Sequence, residues 1–342
     1  MSQIKTFIGA DLHKKTCFVT VMDKSGKIKT QTEIETNTDK LKMFFKKYSV
    51  SSQIAVEATM NWIPFYEALE SIGCSVVLSN PLQTKAIASA RIKNDKVDSR
   101  VLADLLRTNL LPTVYIQPPD IRDLKELVRQ RALFVHMRTR VKNRIHSVLF
   151  KTNSQHTFTN LYGRAELEWL KELKPRSIYR EELDRYLLTL SRLDEQIKEL
   201  EQEIQTTAKA DYDCRLLLTI PGISFYTALM IKSEIGDISR FSNANKLCAY
   251  AGLIPSTYAS ADKIRTGRIT KQGSKWLRSA LVGAVTSCSR NENKISVFYK
   301  KLKKNKGTGK AKVAAARKLC SVIFAMLSDK QPFREFTPVK QR

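Results

Sequence analysis

The chain has 342 residues, of which 42% are hydrophobic, enough for two or three domains with cores of their own. Lysine and arginine number 59 against 33 acidic residues, which gives a formal net charge of +26 and points to a polyanionic partner. No apolar run approaches the roughly 18 residues of a membrane-spanning helix, and no signal peptide is visible. We therefore expect a cytoplasmic protein that binds nucleic acid and no membrane.

Six cysteines are scattered along the chain, with neither a C-x-x-C pair nor clustered histidines that would complete a zinc site. We expect them to be reduced and mostly buried. They are Cys17, Cys74, Cys214, Cys248, Cys288 and Cys320.

The first hundred residues predict elements in the order βββαβαβα. The predicted strands are 6–10, 16–22, 28–34, 53–57 and 74–79, and predicted helices include 39–47 and 62–72. This order resembles the ribonuclease-H-like (RuvC-like) layout, in which the first and fourth strands lie side by side in the centre of the sheet.

Four carboxylates fall where this layout would bring them together. Asp11 ends the first predicted strand and Glu57 ends the fourth, at the sheet edge where α/β proteins bind ligands. Asp95 and Asp98, three residues apart in an amphipathic helix, share one helix face. Carboxylates suit Mg²⁺ or Mn²⁺, and two such ions about 4 Å apart stabilise the attacking and leaving oxygens of a phosphodiester. The pattern predicts a divalent-metal site.

Each of these acids also has an ordinary structural interpretation. Asp11 could end a strand, Glu57 could lie on the surface, and Asp95 could cap a helix. However, all four acids fall at the positions that this topology uses for metal binding, and this coincidence favours the metal site. The first strand continues as Asp11-Leu12-His13, whereas exonucleases of this fold carry D-x-E, which argues against a simple exonuclease.

Residues 121–150 predict a long helix in which arginine and lysine alternate with apolar positions, with few acids to offset them. We expect this helix to bind the phosphate backbone. His136 and His146 on the same helix are expected to pack or to contact phosphate rather than bind metal. The candidate nucleic-acid contacts are Arg138, Arg140, Lys142 and Arg144.

Seven apolar residues at alternating spacings of three and four predict a coiled-coil seam of three heptads. They are Leu183, Tyr186, Leu190, Leu193, Ile197, Leu200 and Ile204. Two partners for the seam remain open. It could pack on another subunit, which would make the protein an obligate homo-oligomer such as a dimer or tetramer, or on the basic helix of its own chain.

The last third of the chain predicts further nucleic-acid contacts. Residues 220–223 (IPGI) resemble a helix-hairpin-helix turn in which Gly222 would help to cradle a phosphate, although an ordinary helix corner is the alternative. A helix ending near Gly252, a short loop over 256–262 and a basic segment over 267–278 follow. The candidate contacts of the basic segment are Arg268, Lys271, Lys275 and Arg278.

The stretch 300–318 is rich in lysine around a predicted loop at Gly307-Thr308-Gly309. Lys310 and Lys312 are its candidate contacts with DNA or RNA, and we expect such binding to weaken steeply with salt.

Six motifs occur in the chain in one order: G-x-D (9–11), V-E-A-T (56–59), N-D-K-V-D-S-R (94–100), I-P-G-I (220–223), A-Y-A-G-L-I-P (249–255) and G-R-I-T-K-Q-G-S (267–274). Together they resemble the DEDD insertion-sequence transposases, the bridge-RNA-guided serine recombinases related to the Piv pilin-gene invertase. The resemblance spans roughly residues 4 to 330.

The resemblance implies that Asp11, Glu57, Asp95 and Asp98 bind the metal ions. It places the family's nucleophilic serine on Ser260, in Tyr258-Ala259-Ser260-Ala261. Ala261 departs from the family's glycine, so Ser256 stays open as the alternative. No Walker-type segment is present, and a serine link to DNA would conserve the phosphodiester energy without a nucleotide cofactor.

The expected architecture is α/β plus α. It comprises a RuvC-like metal-binding domain over 1–112, a basic helix and coiled coil over 113–210, and a mostly α-helical transposase domain over 211–342. The expected activity is cleavage and rejoining of double-stranded donor and target DNA under a structured guide RNA. Three alternatives remain: a Piv-like invertase without guide RNA, a junction-resolving nuclease that uses water, and a structural nucleic-acid-binding protein.

Overall fold

The structure is a computed structural model that describes residues 4–88, 94–260 and 263–334, with the backbone alone for 257–260 and 263–266. It divides into two compact units, Met1–Ile116 and Gln117–Arg342. The first is a mixed sheet with helices and the second is mostly helical, which confirms the α/β plus α class. The finer division into three functional parts stays a prediction.

The first unit contains a six-stranded sheet in the order β3-β2-β1-β4-β5-β6. Its strands are β1 (Thr6–Leu12), β2 (Thr16–Asp23), β3 (Ile28–Glu35), β4 (Ser52–Glu57), β5 (Ser75–Ser79) and β6 (Thr113–Val114). β4 runs parallel to β1 and β5, while β1–β2, β2–β3 and β5–β6 are antiparallel. The predicted adjacency of the first and fourth strands is confirmed.

Helices cover both faces of this sheet. They are α1 (Thr38–Phe45), α2 (Trp62–Glu70), α3 (Pro81–Ile87) and α4 (Asp95–Arg107), with a 3-10 turn at Lys46–Tyr48. Side chains alternate along β4, so Ile54 packs with Phe45 and Phe65 of α1 and α2, whereas Ala55 packs with Leu102 of α4. Helix α4 therefore lies against the opposite face of the central strands from α1 and α2.

The second unit is built from long helices and one β-hairpin. The helices are α5 (Pro119–Lys151), α6 (Arg164–Glu172), α7 (Ser177–Ala210), α8 (Tyr212–Leu218), α9 (Phe225–Ile235), α10 (Ala244–Tyr250), α11 (Lys275–Cys288) and α12 (Lys294–Asp329), with a 3-10 turn at Ile238–Arg240. The hairpin pairs β7 (Pro255–Ser260) with β8 (Lys263–Ile269). Apolar residues of α8 to α12 form the largest core of the protein.

Helices α5 and α7 pack as an antiparallel pair within one chain. Leu183 and Leu190 of the predicted seam are buried with Ile145 of α5, and Arg138 of α5 forms an ion pair with Asp194 of α7 at 2.9 Å. The seam therefore packs on the basic helix of its own chain, which is the helical-hairpin alternative.

Two loops predicted from the sequence are wrong. The sequence predicts a loop over 256–262, yet residues up to 260 form strand β7, because β8 supplies the backbone partners that no local pattern reveals. Residues 261 and 262 lie outside the described residues. The loop expected at Gly307 is a kink inside α12, with φ 75° and ψ 166° at that glycine. Helix-forming lysines before it and buried alanines after it, such as Ala311 and Ala315, keep both flanks helical.

All six cysteines lie in the described part of the chain, buried and without a disulfide bond, as expected. Among the helices that the structure describes, none has an apolar stretch long enough to span a bilayer.

Candidate functional site

The carboxyl ends of two central strands place the first two predicted carboxylates. The parallel register of β1 and β4 pairs Ala10 with Val56, one residue before Asp11 and Glu57. The side chains of Ala10 and Val56 are fully buried, so alternation along the strands turns the next side chain of each toward the opposite face. This is the face that α4 covers.

Helix α4 supplies the other two carboxylates in its first turn. Its N-cap is Asn94, whose side chain accepts a hydrogen bond from the amide of Val97 at 2.9 Å. The alternative that Asp95 is the N-cap is therefore wrong. Asp95 and Asp98 belong to the helix itself, where its amide dipoles favour negative charge.

The contact between α4 and the sheet is unusually close. A Cβ atom at Gly9 would overlap the carbonyl oxygen of Ser99 and lie 2.6 Å from the amide nitrogen of Ala103. The hydroxyls of Thr20 on β2 and Ser99 also share a buried hydrogen bond of 2.7 Å. A glycine at position 9 is what lets α4 approach β1 so closely.

Three of the predicted carboxylates line one cleft of about 420 Å³, namely Asp11, Glu57 and Asp98, together with His13. Asp95 lies next to this cleft, because it contacts His13. The Nε2 atom of His13 is 3.3 Å from Oδ2 of Asp11 and 3.4 Å from Oδ1 of Asp95. The structure thus gathers the four predicted acids at one end of the sheet and adds a histidine.

The electrostatics of Asp11 reflect this crowding. Burial raises the pKa of the Asp11 carboxyl, the charges of Asp95 and Asp98 raise it further, and His13 opposes them. Hard divalent cations prefer carboxylate oxygens, and a cation would relieve both the repulsion and the burial of charge. The donor set therefore fits a divalent ion.

Two family profiles match the chain. One, for the DEDD transposases of IS110, matches residues 8–153, and the other, described as the transposase IS116/IS110/IS902 family, matches residues 214–300. Together they cover about two thirds of the chain, and the first includes all four carboxylates. The chain belongs to the DEDD transposase family.

Relatives of this DEDD transposase match over most of their length. The transposase for insertion sequence element IS1111A of Coxiella burnetii is 27% identical over 296 residues, which are 82% of this chain and 79% of the relative. The pilin gene-inverting protein of Moraxella lacunata is 27% identical over 346 residues, or 96% and 98% of the two chains. The transposase for IS1328 of Yersinia enterocolitica is 25% identical over 288 residues, 81% and 82% of the two chains.

The hairpin of the transposase carries both candidate serines. Ser260 is the last residue of β7, and its backbone pairs with Lys263 of β8. Its side chain is not among those described, and Ala261 lies outside the described residues altogether. Ser256 donates a hydrogen bond of 3.1 Å from its hydroxyl to the carbonyl of Arg268, so its proton is engaged within the hairpin.

The base of the hairpin is held by a residue predicted to contact nucleic acid. Arg278 donates from Nη1 to the carbonyls of Ala251 at 3.0 Å and Lys271 at 3.2 Å. The amide of Ser274 donates to the carbonyl of Tyr250 at 2.8 Å. Arg278 thus has a structural task in the hairpin. The other predicted contacts of this segment are exposed: Arg268, Lys271 and Lys275.

A buried glutamate lies next to the base of the hairpin, and the sequence alone does not predict it. The Glu234 carboxylate of α9 is 1% exposed and accepts hydrogen bonds from Arg129 of α5 at 2.6 and 3.1 Å and from the Ser274 hydroxyl at 2.8 Å. The Ser274 hydroxyl in turn accepts from the Leu277 amide and caps α11. A single glutamate in an apolar helix gives no pattern from which these partners could be read.

The basic face of α5 is partly neutralised by α7. Arg138 is paired with Asp194, and Lys142 is half-buried with its Nζ 4.1 Å from the centre of the Tyr162 ring. Burial and the charge of Arg138 lower the pKa of Lys142. The sequence of α5 contains few acids because the acid that pairs with Arg138 comes from α7. Two predicted contacts stay exposed on this face: Arg140 and Arg144.

The remaining predicted contacts lie at two further places. Gly222 has φ +91° in the turn between α8 and α9, and a Cβ atom there would lie 2.6 Å from the amide nitrogen of Cys288 on α11. Close packing alone thus requires this glycine, and its phosphate contact stays a prediction. On α12, Lys310 is exposed and Lys312 half-buried.

Proposed function

We propose that this transposase cleaves and rejoins DNA strands at a divalent-metal site formed by Asp11, Glu57, Asp95 and Asp98, with Ser260 as the nucleophile. The observation that carries the proposal is the cleft at the end of β1 and β4. Asp11, Glu57 and Asp98 line it, with Asp95 alongside, in a chain of the DEDD family. The strand order and the parallel central strands support a ribonuclease-H-like fold for the first unit.

The carboxylates would hold Mg²⁺ or Mn²⁺, and such ions would polarise the scissile phosphate. Oγ of Ser260 attacks phosphorus and loses its proton to water or a base. The bond from phosphorus to one deoxyribose oxygen breaks, and that oxygen takes up a proton from water or from the protonated base and leaves as a hydroxyl. The serine–phosphate link conserves the phosphodiester energy, so a second DNA hydroxyl can displace the serine and rejoin the strand.

The substrates would be double-stranded donor and target DNA. A net charge of +26 and the exposed cations of α5 and of the 267–278 segment support this partner. We extend the proposal to a structured guide RNA and to a homo-oligomer, because two duplexes must be cut and rejoined. The burial of the α7 seam within one chain implies that subunits would meet through another surface.

A Piv-like inversion without guide RNA is the second candidate. The observation that favours it is the pilin gene-inverting protein of Moraxella lacunata, which matches 96% of this chain. Sequencing the nucleic acid that copurifies with the transposase separates the two candidates. A bound structured RNA with loops matching the DNA flanking its gene supports guidance, and its absence supports inversion without a guide.

The nucleophile is tested with suicide DNA substrates that trap covalent intermediates. We expect a phosphoserine adduct with the wild type and with Ser256→Ala, but none with Ser260→Ala. An adduct that survives Ser260→Ala and disappears in Ser256→Ala would move the assignment to Ser256. Cleavage without any adduct would indicate a nuclease that uses water. If Asp11→Asn left every DNA activity unchanged, the carboxylates would have no catalytic part.

A further inference from the structure

We infer that His13 is a nitrogen ligand of the divalent ion bound by Asp11 and Asp95, and that it gives the site a preference for Mn²⁺ over Mg²⁺. The inference rests on the proposed metal site and adds to it a residue outside the four carboxylates. It is carried by the position of the imidazole, which lies between the two acids with Nε2 3.3 Å from one and 3.4 Å from the other.

These two distances match those between neighbouring ligands of one ion. A charge-assisted N–H to carboxylate bond is about 2.7–2.9 Å long, so both contacts are longer than an ideal one. Donors around one ion at about 2.1 Å lie roughly 3.0 Å apart in octahedral and roughly 3.4 Å apart in tetrahedral geometry. The ligand atoms of Asp11, His13 and Asp95 all lie within 4.8 Å of one another, close to the roughly 4.2 Å between opposite donors that are each about 2.1 Å from one ion.

The backbone holds His13 in this place. Its amide donates to the carbonyl of Thr16 at 2.8 Å across the β1–β2 turn. Its carbonyl accepts from the hydroxyl of Thr36 at 2.9 Å and from the amide group of Asn61 at 3.0 Å. Asn61 follows β4, the strand that ends at Glu57, so the same segment that carries one carboxylate also anchors the histidine.

The chain position of His13 explains why the imidazole reaches the acids. It is the second residue after Asp11 and directly follows β1, which ends at Leu12, and its amide still bonds to Thr16 at the start of β2. Position 13 is the one at which the exonuclease D-x-E pattern would supply a second carboxylate. An imidazole there contributes a neutral nitrogen donor where that pattern contributes a negative oxygen donor.

The replacement of a carboxylate oxygen by an imidazole nitrogen determines which metal ion the site prefers. Mg²⁺ strongly prefers oxygen ligands, whereas imidazole nitrogen suits first-row transition ions. One imidazole among four carboxylates keeps the site oxygen-rich, which still suits Mn²⁺. The preferred ion is therefore a divalent transition-metal cation of hard to borderline character. Mn²⁺ is the probe, because its paramagnetic signal shows directly whether a nitrogen is bound.

The test is Mn²⁺ binding to the full-length protein without nucleic acid, followed by calorimetry and by pulsed electron paramagnetic resonance. We expect ¹⁴N modulation of the bound Mn²⁺ signal in the wild type and in His136→Ala, a matched control that removes an exposed histidine of α5. His13→Ala should lose the modulation and bind Mn²⁺ about 10-fold more weakly or worse. His13→Asp should bind Mn²⁺ without modulation and should bind Mg²⁺ more tightly than the wild type does.

The outcomes separate this inference from the proposed function. If Mn²⁺ binds the wild type, fails to bind Asp11→Asn, and shows neither nitrogen modulation nor dependence on His13, the carboxylate site stands and the inference is overturned. If Mn²⁺ binds the wild type and Asp11→Asn equally, both are overturned. Circular dichroism of each variant checks that it folds, and His13→Asp gives a second reading if His13→Ala is unstable.

Discussion

Gly9 and Ser99 are in backbone contact where helix α4 crosses strand β1, with space for a hydrogen atom but none for a Cβ. β1 carries Asp11 and α4 carries Asp95 and Asp98, so this contact sets how closely the acids approach each other. The glycine of the G-x-D motif is therefore a requirement of the site as well as of the fold.

Gly9→Ala is expected to lower the free energy of unfolding by about 1–3 kcal/mol, because the added methyl group pushes α4 away from the sheet. Affinity for Mn²⁺ should fall with it, since two of the carboxylates move with the helix. Urea denaturation and calorimetric titration measure the two effects. Gly283→Ala is the control. Apart from the neighbouring backbone of α11, no heavy atom of the described residues lies within 4 Å of its Cβ position, so stability should be kept or raised and metal binding unchanged. Unchanged Mn²⁺ affinity in Gly9→Ala would contradict the argument.

Asp11→Asn should raise the melting temperature of the metal-free protein and abolish its stabilisation by Mn²⁺. Burial and the neighbouring acids raise the pKa of Asp11, so the folded state disfavours its charge. The gain in stability of Asp11→Asn over the wild type should be complete above the raised pKa of Asp11. It should vanish as the pH falls below 3.8, where the Asp11 carboxyl is protonated in both the folded and the unfolded wild type. Melting curves of both proteins with chelator, at neutral and acidic pH, test this. A variant less stable than the wild type at neutral pH would show that Asp11 is a structural residue.

The sequence was sufficient for those features that depend on local pattern. Strand alternation and turn residues predicted β1 to β5, and their order placed Asp11 and Glu57 at neighbouring strand ends. What it missed depends on contacts between distant segments. Strand β7 exists because β8 pairs with it, and Arg138 is neutralised by an acid 56 residues away. His13 was seen only as a departure from D-x-E, since its neighbour Asp95 comes from a helix more than eighty residues further on.

Leu190→Ala should lower the free energy of unfolding by about 2–5 kcal/mol and leave the sedimentation mass unchanged, because Leu190 is buried against α5 within one chain. Leu188→Ala is the matched control on the same helix. Its side chain is 55% exposed, so its loss should change stability by no more than about 0.5 kcal/mol. A fall in sedimentation mass with Leu190→Ala at unchanged stability would instead indicate that the seam packs on another subunit.

Arg129→Met should be among the most damaging single changes in the second unit. It keeps most of the side-chain volume but removes the guanidinium that donates two hydrogen bonds to the Glu234 carboxylate, which is 1% exposed. Breaking such a buried pair costs about 3–5 kcal/mol. Arg185→Met, in an exposed pair with Glu181 on α7, should cost no more than about 0.5 kcal/mol in the same urea titration.

The double variant Arg129→Met, Glu234→Gln separates lost charge pairing from lost packing. Removing the carboxylate's charge takes away the main penalty, so the double variant should be more stable than Arg129→Met alone. A glutamine at 234 can still accept a hydrogen bond from Ser274, which caps α11 at the base of the serine hairpin. If the double variant is instead the less stable of the two, Arg129 acts through its packing on Trp276, 5.6 Å from the ring centre, and Glu234 carries no net charge penalty.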